Sequence, residues 1–231
     1  VARGVRGDLI SDILRLADER GIQPRRCHVD QVHRLSGNPR QDQGVALDLI
    51  QPKVFLEDWI QSVGDKPLST PLVVLDGVRN AQNIGMILRT ATAAGAAGVV
   101  IPRKGSPGLG PLVIKASAGV ALRAKILHCE DPAAAARALK DNGWNLVGLS
   151  GGQGSEDLFE LRLEGSEKFA WVLGNESEGI SVHVSELIDR WVRIPMENGV
   201  ESLNVATAAS IVLFELLRRR RIGTVSSIRD S

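Results

Sequence analysis

The sequence predicts an α/β protein built on a parallel sheet with helices on both faces. Two observations carry this reading. From residue 72 onward, continuous apolar runs alternate with helical stretches, and uninterrupted apolar strands mark a sheet buried on both sides. Three of those runs end in polar stretches rich in Asn, Glu, Ser and Gly, at 76–83, 174–179 and 195–204. Open α/β sheets bind ligands there, outside the carboxyl ends of their strands.

Taken in order, DLISDILRLADERG (8–21) predicts an amphipathic helix with Ile10, Ile13, Leu14 and Ala17 on one face and Gly21 as its stop. GVALDLI (44–50) reads as a strand. Residues 53–71 read as a linker, because QSVGDKPLSTP is rich in Gly, Pro, Ser and Thr, and Asp65, Lys66 and Pro67 break any helix begun at Val54. LVVLD (72–76) is a strand, and NAQNIGMILRTATAAG (80–95) is a helix capped by Asn80 and ended by Gly95. GVVI (98–101) is a strand, PLVIKASAG (111–119) a short helix and AKIL (124–127) a strand. DPAAAARALKDNG (131–143) is a helix with Asp131 as cap and Pro132 in its first position.

WNLVGL (144–149), FAWVLG (169–174) and WVRI (191–194) are strands, and SVHVSELID (181–189) is helical. A final helix starts near Ser202, its natural cap, and runs from Leu203 to Leu217. Val205, Ala209, Val212 and Leu216 fill one face of it, while Leu203, Ile211 and Phe214 fill others. A helix apolar nearly all round is buried on several sides, and a second subunit would supply the extra cover.

A chain of 231 residues suits one large domain, or one with a small appendage. Its 43% hydrophobic and 24% charged residues place it among globular proteins. No apolar run approaches the roughly 20 residues that span a bilayer, and no charged-then-apolar leader opens the chain. Val1 in place of Met is read as a processed or truncated start. Cys27 and Cys129 fit neither a zinc spacing nor a disulfide framework, which points to reduced cytosolic thiols. A net charge of +1 does not by itself announce a nucleic-acid partner. However, Arg15, Arg20, Arg25, Arg26, Arg34 and Arg40 crowd the first forty residues, and Arg218–Arg221 form a second cluster. Either cluster is a solvated surface or an anion contact, and the second also complements its helix dipole.

The polar loops exclude two common sites. DGVRNAQNIG lacks the glycine spacing of a dinucleotide fold, and no phosphate-cradling P-loop occurs. In the helix after it, Ile84, Ile87, Leu88 and Ala91 form a core stripe, which sets Arg89 on the far side and Asn83 off the stripe. Gly85 and Ala93 are small neighbours that would let a ligand or another chain come close. Gly174 and Gly179 permit a sharp bend, and Asn175, Glu176 and Ser177 can satisfy exposed amides there, as they would in a plain capped turn. His28, His33, His128 and His183 lie outside all three loops and read as structural or surface residues.

Together the three loops resemble the SpoU/TrmH family of RNA 2′-O-ribose methyltransferases, within the SPOUT superfamily. That family's first motif, Asn-x-Gly-x-x-x-Arg-[Ser/Thr]-Ala, stands here as Asn83, Gly85, Arg89, Thr90 and Ala91. Its Gly-x-Glu-x-x-Gly turn is Gly174, Glu176 and Gly179. Its Ile-Pro-Met, loop, Ser-Leu-Asn motif is Ile194, Pro195 and Met196, then Ser202, Leu203 and Asn204. The match runs in order over roughly residues 72–220.

The resemblance implies a trefoil knot at the carboxyl end of the sheet, a homodimer, and S-adenosylmethionine as cofactor, with no metal. It implies cofactor contacts from Gly174, Asn175, Ile194, Pro195, Met196, Leu203 and Asn204. It puts Asn83, Arg89, Glu176, Ser202 and Asn204 at catalytic or active-site positions. The first seventy residues resemble the latter part of the small α/β ribosomal-protein-like RNA-binding domain that precedes the knot in bacterial and mitochondrial rRNA enzymes. Asp42 stands where those enzymes usually carry His, and the domain is short at its start.

The implied layout is a partial RNA substrate-binding domain at 1–52, a linker at 53–71, the knotted methyltransferase domain at 72–222 and a tail at 223–231. The implied function is 2′-O-methylation of a ribose in RNA, a guanosine of large-subunit rRNA, in the cytoplasm or, in a eukaryote, the mitochondrion. The alternatives are a tRNA ribose as target, a base methyltransferase from elsewhere in the superfamily, or an RNA-binding protein of this fold without catalysis. Arg89 cannot serve as a simple base, because a guanidinium stays charged. It can hold a phosphate bidentately and stabilise developing negative charge.

Overall fold

The structure is a computed structural model that describes residues 1–229 apart from 38, 41, 65, 67, 153 and 164–166, with the backbone alone over 223–229. Asp65 and Pro67, expected as helix breakers, lie outside the described residues, as does the end of the expected tail at 230–231. The chain divides into two compact units, Val1–Gln51 and Pro52–Ser231.

The first unit holds helices α1 (Asp8–Glu19) and α2 (Val29–Ser36). Of the predicted α1 stripe, Ile10 is the fully buried member. Residue Ala2 bridges Cys27 in parallel, and these two with Val32 form a small core. Asp42 organises the following loop. It accepts from His33 Nδ1 and Ser36 Oγ, each at 2.7 Å, and from the Gly44 amide at 2.9 Å. Those bonds, His33 first, hold its carboxyl down at about 2. The strand expected over 44–50 does not form, and Leu47, Leu49 and Ile50 are exposed. A strand needs a partner edge, and among the described residues this unit offers only the one-residue bridge. Its described residues are therefore helical, without the expected sheet.

The described residues of the second unit form an eight-stranded sheet, and every pairing among them is parallel. Its strands are β1 (Val54–Phe55), β2 (Leu72–Leu75), β3 (Gly98–Pro102), β4 (Ile126–Cys129), β5 (Trp144–Leu149), β6 (Glu156–Asp157), β7 (Lys168–Leu173) and β8 (Arg190–Arg193). They run in the order β1-β4-β3-β2-β7-β5-β8-β6. The helices are α3 (Leu56–Val63), α4 (Ala81–Ala93), α5 (Pro111–Ala116), α6 (Pro132–Asp141), α7 (Val182–Ser185) and α8 (Val205–Arg229).

Alternation along each strand sends neighbouring side chains to opposite faces. Val73, Leu75, Val99 and Ile101 pack against α4 and α8. Leu72, Val74, Val100, Ala170 and Val172 pack against α3 and α6. Every residue of β2, β3 and β7 is buried, which is why those runs read as unbroken apolar sequence, in β7 after Lys168, whose ammonium donates to the Gly64 carbonyl at 2.6 Å. Each large side chain buried in this way contributes roughly 1.5–3 kcal/mol.

Several elements differ from the sequence reading. Residues 54–63, expected within the linker, form β1 and α3, and Leu56, Trp59 and Ile60 join the core. The helix expected over 181–189 is a single turn, α7. Asp189 draws the chain out of it by accepting from the Leu146 amide at 2.8 Å and from Lys140 at 2.5 Å. The last helix begins at Val205, not near Ser202. Its cap is Asn204, whose Oδ1 accepts from the Ala206 amide at 2.9 Å and the Thr207 amide at 3.4 Å, while Ser202 is exposed. No helix among the described residues is long and apolar enough to cross a membrane.

Candidate functional site

The three polar loops leave one edge of the sheet from neighbouring strands. β2 pairs with β7, β5 lies next to β7, and β8 lies next to β5. The loops after β2, β7 and β8 are therefore crowded together by the strand order, although more than a hundred residues separate the first from the last.

Local bonds tie the first two loops together. Asp76, buried at the end of β2, accepts from the Ser181 amide at 2.7 Å. Asn175 Nδ2 donates to the Gly77 carbonyl at 2.9 Å, and Asn175 Oδ1 accepts from the amides of Ser177 and Glu178 at 2.8 and 3.1 Å. Asn175 and Gly179 exchange backbone hydrogen bonds at 2.8 and 2.9 Å, closing a tight turn. A Cβ at Gly174 would run into the backbone of Gly179 and Ile180, so the turn closes only over glycine. Gly179 itself has φ +71°.

The centre of the site is a hydrogen-bonded chain of three side chains, one from each motif. Asn83 Nδ2 donates to Glu176 Oε1. Asn204 Nδ2 donates to Asn83 Oδ1 at 3.1 Å. Asn204 Oδ1 in turn accepts the first amides of α8. Asn83, placed off the core stripe from sequence, is buried at 4% exposure in this arrangement. A buried amide is tolerable because both its ends are bonded. Glu176 remains exposed, and its second carboxylate oxygen has no partner among the described residues.

Arg89 is not part of this chain. It lies on an exposed stripe of α4 with Gln82, Met86 and Ala93, and it makes no hydrogen bond or ion pair among the described residues. The next residue, Thr90, fixes α4 to α8 through Ser210 at 3.1 Å. The room expected beside Gly85 is already filled. A Cβ there would lie 2.6 Å from Ala116 Cβ and 2.7 Å from the Val113 carbonyl, because α5 packs directly onto that point.

The third loop has the character of a binding surface. Asn198 and Gly199 have φ of 56° and 72°, which turns the chain sharply. Pro195, Glu197–Ser202 and Asn204 are exposed, and Ile194, Met196 and Leu203 are half-buried. Among the described residues, the one hydrogen bond made within 194–203 runs from the Val200 amide to the Glu197 carbonyl at 3.2 Å. Most backbone donors and acceptors of this loop are thus left for another partner. A surface of half-buried apolar side chains with uncommitted backbone groups fits a purine-bearing cofactor, which needs apolar faces and edge hydrogen bonds.

No cluster of His, Cys, Asp and Glu among the described residues could hold a metal ion. Sequence reasoning gave no sign that Asp76 and Asn175 lock the loops. The signal available was Asp76 at a strand end, where a buried carboxylate must find donors.

Comparison with known proteins gives consistent results. The model of the SpoU rRNA Methylase family matches residues 70–214. The 23S rRNA (guanosine-2′-O-)-methyltransferase RlmB of Xylella fastidiosa (strain 9a5c) is 35% identical over 226 residues, covering 96% of this chain and 88% of that protein. A putative TrmH family tRNA/rRNA methyltransferase of Staphylococcus haemolyticus (strain JCSC1435) is 33% identical over 95% of this chain and 87% of its own length. Among solved structures, the SpoU methyltransferase AviRb of Streptomyces viridochromogenes, in complex with the cofactor AdoMet, superposes with a TM-score of 0.70. At 22% identity over 93% of this chain and 79% of that chain, it shows the shared fold.

Proposed function

This chain belongs to the SpoU rRNA Methylase family, and we propose that it transfers a methyl group from S-adenosylmethionine to the 2′-hydroxyl of a guanosine ribose in large-subunit rRNA. The observation that carries the reading is the Glu176–Asn83–Asn204 chain, which joins all three motifs at one edge of the sheet. The guanosine and rRNA assignments are supported by the name of the Xylella relative, and a tRNA target by that of the Staphylococcus relative.

The cofactor supplies an activated methyl on a sulfonium. Residues Ile194, Pro195, Met196, Leu203 and Asn204 would hold it with Gly174 and Asn175, chiefly through the uncommitted backbone of the third loop. Asn83 holds Glu176 in place, and Glu176 keeps one carboxylate oxygen for a donor on the substrate. Ser202 is exposed and would offer a hydroxyl to the substrate. Arg89, a guanidinium without a partner among the described residues, clamps a phosphate and stabilises charge developing on the attacking oxygen. Positioning of donor and acceptor is the larger part of such a displacement.

Three further parts of the reading go with it. A homodimer would cover Met86 and Phe214, exposed at 40% and 49% on α4 and α8. A trefoil knot at the carboxyl edge of the sheet would hold the turn at Gly174–Gly179 and the loop 194–204 to one site. Residues 1–52 would bind the RNA and residues 72–222 would carry out the reaction, in the cytoplasm where ribosomal RNA is made in bacteria.

The test is incubation with labelled S-adenosylmethionine and rRNA, followed by alkaline digestion. A 2′-O-methyl removes the hydroxyl that attacks the neighbouring phosphate, so label must stay in alkali-resistant dinucleotides. Label recovered in mononucleotides or free bases would sink the reading. Label appearing with tRNA and not rRNA would move the target while keeping the chemistry.

A further inference from the structure

Methyl transfer uses the carboxyl ends of the strands and leaves a cavity of about 590 Å³ in the second unit without a role. This cavity lies at the other end of the sheet. Pro71 and Glu167, which line it, directly precede β2 and β7, whereas the polar loops follow the carboxyl ends of those strands. Leu216 lines it from α8, roughly 16 Å along that helix from its start at Val205.

The walls are apolar, built from Leu161, Leu163, Phe169, Trp171 and Leu216. One polar atom on them is unsatisfied. Trp171 is 1% exposed, and its indole Nε1 is the one buried side-chain polar atom among the described residues without a hydrogen-bond partner. Buried indole N–H groups ordinarily find an acceptor. The residues packed round Trp171, with Leu161, Phe169, Val212 and Leu216 among them, are apolar. A water there would lack the several polar partners that hold one inside a protein. An acceptor carried on an apolar molecule would satisfy the N–H.

The opening supplies charge. Arg162 is exposed, and its guanidinium makes no hydrogen bond or ion pair among the described residues. Only its carbonyl is engaged, accepting from Arg190 at 3.0 Å. The other lining arginines are committed. Glu215 holds Arg219 at 2.6 Å, and Arg220 donates to the Ala94 carbonyl at 3.1 Å. Against these three guanidiniums the described lining residues set one carboxylate, Glu167, so the opening favours an anion. Apolar walls with a few placed polar groups are the makings of a small-molecule site.

We propose that this cavity binds a small aromatic carboxylate with a second acceptor on its apolar body. The rings lie against Phe169 and Leu216, the second acceptor takes the Trp171 N–H, and Arg162 holds the carboxylate at the opening.

The test uses the full chain and 4-benzoylbenzoate, whose ketone is the acceptor, whose carboxylate is the charge, and whose ketone couples to nearby C–H bonds under light. Calorimetry should show binding that persists in saturating S-adenosylmethionine. Irradiation should leave the adduct on peptides carrying Phe169, Trp171 or Leu216. 4-Benzylbenzoate, with a methylene in place of the ketone, should bind roughly 3- to 10-fold more weakly. Benzophenone, without the carboxylate, should also bind several-fold more weakly. Trp171→Phe should erase the ketone preference and keep the carboxylate preference. Arg162→Ala should do the reverse, and its exposed position guards against a Trp171 variant that fails to fold.

No binding at millimolar probe, displacement by S-adenosylmethionine, or adducts confined to the exposed leucines of the first unit would each overturn the site. So would ketone and carboxylate preferences that persist unchanged in Trp171→Phe and Arg162→Ala.

Discussion

Asn83 and Asn204 lie 121 residues apart, yet the Asn204 amide donates to the Asn83 carbonyl oxygen at 3.1 Å. The same Asn83 donates to Glu176, and the same Asn204 caps α8. A single amide side chain thus connects the start of the last helix to the carboxylate of the glycine turn. Removing any one member must disturb both folding and the site, so the predictions for Asn83 and Asn204 pair a stability readout with a functional one.

Asn83→Ala leaves Glu176 Oε1 and Asn204 Nδ2 without their partner. Both partners are exposed, so each lost bond costs its net worth, roughly 0.5–1.5 kcal/mol. The melting temperature should fall, and single-turnover methylation should fall further than stability accounts for. A variant that melts and turns over like wild type would remove the chain from both roles.

Asn204→Ala should cost about 1 kcal/mol for the lost cap, in addition to the bond to Asn83. Asn204→Asp keeps the capping oxygen but cannot donate to Asn83. It should recover most of the helix stability and little of the activity. Ser202→Ala should leave the melt unchanged, because Ser202 does not cap the helix and is exposed.

Gly85→Ala should destabilise by roughly 1–3 kcal/mol through overpacking. The added methyl would meet Ala116 and the backbone of α5 at 2.6–2.9 Å. Denaturant unfolding would measure this, and a neutral result would mean that α5 can retreat from α4.

Arg89→Ala should change stability by no more than about 0.5 kcal/mol, as surface substitutions do, because Arg89 is exposed and unpaired among the described residues. Its methylation rate should fall on the order of 10²-fold or more, the scale of a lost oxyanion donor. Calorimetric binding of S-adenosylmethionine should hardly move. Arg89→Lys tests whether charge alone suffices. An alanine variant within a few-fold of wild-type rate would take Arg89 off the catalytic list.

Acid should loosen the packing of α8 through Glu215. Arg218 and Arg219 hold the Glu215 carboxyl at about 2, below its ordinary 4.5. A carboxyl depressed on folding adds stability that is full above pH 4.5, declines as pH falls through that range and is gone below about 2. Arg219 also donates to the carbonyls of Leu158 and Leu161, so the loss should reach the loop before β7. In Glu215→Gln the melting temperature should drop at neutral pH and depend less on pH between 4.5 and 2. Parallel pH profiles for variant and wild type would contradict this.

Much of the fold was legible because the sheet is parallel and buried on both faces. The runs at 72–75, 98–102 and 169–173 have no solvent side, so their sequence is continuously apolar and cannot be mistaken for exposed strands. Asn80 and Asp131 cap their helices as expected, each accepting an amide at 2.8 Å, because capping is decided within four residues. The strand expected at 44–50 failed for the converse reason. Its composition suits a strand, but pairing depends on an edge elsewhere in the chain.

By itself the sequence determined most of the local elements from residue 72 onward and the identity of the three polar loops, since both follow from short-range periodicity and residue chemistry. The tertiary structure alone decided what those residues do to one another. It buried Asn83 instead of leaving it off the stripe, filled the space beside Gly85 with α5, and gave the cap of α8 to Asn204 instead of Ser202. The physical reason is the same in all three. A buried amide, a missing Cβ and an open helix start each require a partner, and the order of strands in the sheet supplied it from more than twenty residues away, Asn83 holding Asn204 by its Nδ2 while its Oδ1 caps the helix.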